Sequence, residues 1–144
     1  GTGYNRIMPF EELHHSADWC IYVWSDSLIG LFTDSAIGMI ALTGVRLVEK
    51  PRVEHMFIAT APDAESLLVS FLSELTYYIE QQRQAFDQFD MSLDLVDNQQ
   101  YQLSVSLHGA PILSIEKVIK AVTYHNLQIR ETARGYEVEI VFDV

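Results

Sequence analysis

Cysteine is nearly missing. Cys20 is the only one among 144 residues, which excludes an intramolecular disulfide. It stands in an apolar, strand-like run, so it reads as a buried thiol in a cytoplasmic setting. No lysine or arginine stands close to it, which argues against a nucleophilic thiolate. Long apolar runs are missing too. None approaches the ~20 residues that a membrane helix needs, and the short polar start does not read as a secretion signal. Basic residues are scarce: nine Lys and Arg stand against twenty Asp and Glu, for a formal net charge of −11. Nucleic-acid binding draws its affinity from basic groups that displace phosphate counterions. Direct RNA or DNA binding is therefore not expected, and docking to anionic membranes is disfavoured for the same reason. The chain also lacks a Gly-x-Ser-x-Gly elbow, a phosphate loop, a dinucleotide fingerprint and a zinc signature.

What is present suits one globular domain over residues 1–144. Hydrophobic residues make up 49% and charged residues 20%, outside the disordered range. The opening Gly1-Thr2-Gly3 lacks a methionine and reads as a cleavage scar. Pro9 to Glu12 reads as a connector. Trp19 to Trp24 is apolar throughout, as in a strand buried on both faces. Ser25-Asp26-Ser27 offers a helix N-cap. Apolar spacings of three and four predict a first helix over 28–42, with Gly44 as its stop. A strand follows over 53–59. Asp63 is an N-cap candidate for a second helix over 64–82. Phe89 to Leu95 and Tyr101 to Leu107 alternate apolar and polar residues around a turn at Asp97–Gln100, a hairpin with one wet face. Gly109-Ala110-Pro111 reads as its end. Recurring β-branched residues predict one strand from about Val118 to Glu131, and a last strand runs from Tyr136 to the end. The fold class is α+β, two helices packed on mainly antiparallel sheet.

Two places carry candidate chemistry. His15-Ser16-Ala17-Asp18 leads into the first strand, and Asp143-Val144 closes the chain on a side-chain carboxylate beside a terminal one. If Asp18 meets that end in the sheet, three anionic oxygen groups converge. Like charges that close destabilise one another, and a hard cation such as calcium or magnesium relieves them. A loop cap is the competing reading of Asp18. His15 either orients Asp18 or bonds backbone; His14 reads as surface. Asp87, Asp90, Asp94 and Asp97 lack the glycine and glutamate of an EF-hand and read as a solvated strand face. His55 and His108 show no ligand spacing, Trp19 and Trp24 read as core, and Thr123 and Tyr124 as packing.

Four stretches in order resemble the archease family over nearly the whole chain. They are Phe10-Glu11-Glu12-Leu13-His14-His15-Ser16-Ala17-Asp18; Pro62 to Leu68 with Phe71-Leu72-Ser73-Glu74-Leu75; Lys120-Ala121-Val122-Thr123-Tyr124-His125; and Val141-Phe142-Asp143-Val144. The family usually has Thr where this chain has Ser16, and often acids where it has Ile29 and Gly30. The resemblance implies a non-catalytic accessory protein of the RtcB-type RNA ligase that joins tRNA halves. It would promote guanylylation of the ligase and repeated turnover, and loosen its nucleotide preference. The family's divalent-cation site, with calcium and with magnesium or manganese as alternatives, maps onto Asp18, Asp143 and Val144. Lys120 and His125 fall in a family motif as partner or supporting residues; they would share one long strand and, by parity, face opposite sides. Lys120 would meet a ligase or nucleotide phosphate, or simply pair with an acid. A metal-dependent, phosphodiesterase-like hydrolase and a chaperone-like binding module are the alternatives.

Overall fold

The structure, a computed structural model, describes residues 10–14 and 19–144. Phe10–His14 (β1) and Trp19–Ser25 (β2) pair antiparallel, with His14 opposite Trp19. Pro9–Glu12 was expected to be a connector, so β1 is a correction. It is an edge strand, and Glu11 and Glu12 mask its alternation from the sequence.

Leu28–Leu42 (α1) has the expected bounds. Ser27 caps it by accepting the Gly30 N–H at 3.0 Å, satisfying a donor with no partner inside the helix. Gly44 ends it at φ +63°, a left-handed conformation that glycine adopts without a Cβ penalty. Arg46–Leu47 (β3) and Val53–Ala61 (β4) follow. Asp63 then caps Ala64–Tyr77 (α2), accepting the Ser66 N–H at 2.7 Å. The predicted helix to 82 is helical throughout, but its last five residues, Tyr78–Gln82, form a π-helical turn that ends at Arg83 with φ +55°.

The predicted hairpin is longer than expected. Gln84–Val96 (β5) and Gln100–Ser114 (β6) pair along nearly their whole length. Gly109-Ala110-Pro111 does not break it. A Cβ at Gly109 would collide with the Ala85 backbone, so the glycine permits close approach inside the strand pair. Ala121–Val122 (β7), Arg130–Thr132 (β8) and Gly135–Asp143 (β9) finish the described chain. The single strand expected over 118–131 is two short ones. Between them the chain turns: the Leu127 N–H bonds the Tyr124 carbonyl at 3.1 Å and Asn126 sits at φ +52°, where asparagine is enriched.

The strands form two antiparallel sheets. In the first, β2 pairs β1 on one side and β9 on the other, while β7 and β8 take opposite ends of the far edge of β9. In the second, β6 is central, with β4 and β5 on its two sides and β3 against its last residues. Both helices lie between the sheets. α1 packs on β1, β2 and β9 and reaches β5; α2 packs on β4 and β6 and reaches β7. The expected α+β architecture is therefore the observed one, with two sheets. The rings of Phe32, Phe57 and Phe89 lie 6.0–6.4 Å from that of Phe71, joining α1, α2, β4 and β5 in one core. Among the described residues, no helix is long and apolar enough to cross a membrane.

Candidate functional site

β9 ends where β1 and β2 meet their connection. His14 faces Trp19, and Trp19 faces Phe142. The described residues that flank 15–18 thus lie beside the end of the β9 ladder. Phe142 is fully buried. Phe142 and Asp143 pair with Val122 and Ala121 of β7, and the Lys120 N–H donates to the Asp143 carbonyl at 2.8 Å. Thr123 donates twice to the Val141 carbonyl, from its N–H and its hydroxyl, both at 3.0 Å. These bonds hold the backbone of Asp143 while its side chain is exposed. Val144 is half-buried and packs against the core.

Strand parity puts Glu137, Glu139 and Asp143 on the same face of β9, as expected from a period of two. Tyr22 and Cys20 face them from β2. The Tyr22 hydroxyl donates to Glu137 Oε2, and burial, with that bond next, raises the phenol above its ordinary pKa. Arg130 lies 3.8 Å from the other oxygen of Glu137. The Cys20 thiol, fully buried as expected, donates to Glu139 Oε1 at 3.5 Å. A row of carboxylates leading to a strand end lowers the local potential and favours a cation there. Oxygen donors of this kind suit calcium, magnesium or manganese.

The predicted residues divide. Asp143 and Val144 sit together at the end of β9. Asp18 and His15 lie outside the described residues, so their expected meeting with Asp143 does too. Among the described residues, no three His, Cys, Asp or Glu side chains stand close enough to hold a metal ion. Lys120 and His125 do not share a strand. Lys120 precedes β7 with its side chain exposed, and its backbone bonds Asp143. His125 is exposed in the turn after β7, where its N–H donates to the Thr123 hydroxyl at 3.3 Å. Tyr124 is exposed, not packed. Trp24 is half-buried and faces outward beside Tyr22, their ring centroids 5.5 Å apart. Trp19 does pack on the core. The four aspartates of β5 and its turn are exposed, as expected.

Sequence reasoning missed two contributors. Lys117 Nζ lies 4.0 Å from the Trp19 ring centroid, a cation–π contact at the start of β2. Nothing local signals it, since 98 residues of chain separate the pair. The row formed with Glu137 and Glu139 was legible by counting back from Asp143 in steps of two.

Residues 10–144 match the Archease protein family (MTH1598/TM1083). The chain is 30% identical over 140 residues to the protein archease of Methanosarcina barkeri, covering 94% of this chain and 95% of that protein. It is also 30% identical over 146 residues to the protein archease of Saccharolobus islandicus, covering 96% and 100%. The solution structure of protein 1598 of Methanobacterium thermoautotrophicum shares the fold, with a TM-score of 0.75 at 22% identity, over 94% of this chain and 99% of that one. A crystal structure from Thermotoga maritima, described as an archease and possible chaperone, shares it with a TM-score of 0.63 at 17% identity, over 92% and 94%. With that match running from β1 to the end of the chain, this chain belongs to the archease family.

Proposed function

We propose that this chain is a non-catalytic activator of an RtcB-type RNA ligase, working in the cytoplasm in tRNA splicing and RNA repair. It promotes guanylylation of the ligase and repeated turnover, and it uses a divalent cation, calcium or else magnesium or manganese, held by Asp18, Asp143 and a main-chain oxygen of Val144. The observation that supports this best is the strand register: His14, Trp19 and Phe142 stand in one row, so the described residues on either side of 15–18 lie next to the end of β9. Guanylylation brings a protein nucleophile to a charged phosphate, and a divalent cation supplies positive charge against it. On this reading the role of the chain is positional. The β7–β9 ladder fixes Asp143, the Trp19–Phe142 pair fixes the start of β2, and Glu137 and Glu139 extend the negative field. The net charge of −11 favours a basic protein surface over RNA as the direct partner. The description of the Thermotoga maritima protein as a possible chaperone supports a protein partner in the coarser sense.

The test is a guanylylation time course with limiting ligase. Wild-type protein should accelerate it, and Asp18→Ala and Asp143→Ala should each lose most of the acceleration while melting like wild type. Undiminished stimulation by both variants would eliminate the cation and leave a chaperone-like role. A phosphodiester substrate cleaved by the protein alone would instead support the hydrolase reading.

A further inference from the structure

The two long edges of the second sheet are treated differently. β5 carries Asp87, Asp90 and Asp94, all exposed, and a bulge between Phe86 and Gln88. Charges and bulges are how edge strands avoid pairing with another chain. β4 has no bulge and a single acidic side chain. Its nine residues, Val53 to Ala61, run in unbroken register against β6. They include no lysine, arginine or proline and one acid, Glu54. Among the described residues, no strand pairs with the far edge of β4. On its outward face stand Met56 and Ile58, 63% and 62% exposed, one on each side of Phe57.

We infer that β4 is a self-association edge, and that its occupant is the β4 strand of a second copy, paired antiparallel about a two-fold axis at Phe57. A two-fold contact uses the same patch twice, so each residue meets a reciprocal partner. With Phe57 opposite itself, Met56 of each copy faces Ile58 of the other. Each exposed apolar side chain of the strand then gains an apolar cross-strand neighbour on the same face. Glu54 meets Thr60, so no carboxylate opposes a carboxylate within the strand despite the acidity of the chain. Just beyond it, Arg52 of one copy falls opposite Pro62 of the other, and its charge is already paired within its own chain with Asp87, 2.6 Å away. Moving the register by two residues loses this match, by setting Ile58 against Glu54 or Met56 against Thr60. The product is a continuous sheet six strands wide, β5-β6-β4 joined to its mirror order, with each β3 still against its own β6. A single strand edge buries less than a standard interface, so the dimer should be concentration-dependent. This inference is independent of the ligase reading.

Sedimentation equilibrium over a wide concentration series tests it. The apparent mass of the wild-type chain should climb from 16.4 kDa toward twice that value. Ile58→Lys, an exposed change that leaves the core alone, should hold the monomer mass throughout with an unaltered melting temperature. A wild-type chain that stays monomeric at every concentration overturns the inference, as does Ile58→Lys associating like wild type. Register is read by mixing Met56→Cys with Ile58→Cys under mild oxidation. The disulfide-linked dimer should form faster in the mixture than in either variant alone, since Cys20 is buried and does not compete. Equal cross-linking in all three samples overturns the Phe57-centred pairing.

Discussion

Phe142→Ala should weaken the whole fold and the end of β9 together. Phe142 is fully buried, with Trp19 paired to it on one side and Val122 on the other. Both neighbours are held by ladders, so the space left by the ring closes poorly. Truncating a buried phenylalanine costs about 3–5 kcal/mol, the upper part applying where the site does not collapse. Domains are stable by about 5–15 kcal/mol in total, so the variant should fold but lose much of its margin. For a chain of 144 residues, each kcal/mol moves the midpoint by roughly 3–4 °C, which gives a fall of about 9–20 °C. Calorimetry and urea titration read this directly, and the urea slope should stay constant because the exposed area on unfolding barely changes. Calcium affinity should fall as well, although Asp143 itself is intact, because the backbone next to it loses its anchor. A loss under about 1 kcal/mol, within the range of ordinary surface changes, would refute the claim that the end of β9 is locked by core packing.

Other expectations follow from single contacts. Calcium at roughly a hundred times its Kd should stabilise the wild-type chain by about 2.7 kcal/mol, and Asp143→Asn should abolish that gain without lowering the calcium-free melting temperature. Asp63→Ala removes the acceptor of the Ser66 N–H and should cost about 1 kcal/mol in urea unfolding. Asp34 on α1 is half-buried, and burial raises its carboxyl above the usual range. A folded-state pKa raised above the unfolded one means that the charged form opposes folding, so this group's contribution worsens as pH rises through those two values. Asp34→Asn should therefore stabilise the protein at neutral pH, and the difference should vanish below the unfolded carboxyl pKa; an advantage that persists in acid would point to a cause other than charge.

The parts of this fold that the sequence announces are those whose signal is local. The apolar stripe and the Ser27 cap place α1 at both ends, and the 84–114 hairpin shows its alternation for as long as one face is wet. Where tertiary context decides, local signals mislead. β1 has too few apolar residues to declare itself and exists because β2 offers it a ladder. The β-branched residues after Val118 promise one strand, but only Ala121 and Val122 find a partner on that edge of β9 before Thr123 ties off on Val141. The same division runs through the candidate site. The place of Asp143 follows from counting along an alternating strand. The part played by Lys120 does not, because what the structure uses is its main-chain N–H, a group that every residue except proline carries. Identity at that position is therefore not what holds Asp143, and substituting the Lys120 side chain tests a partner contact separately from the geometry of the strand end.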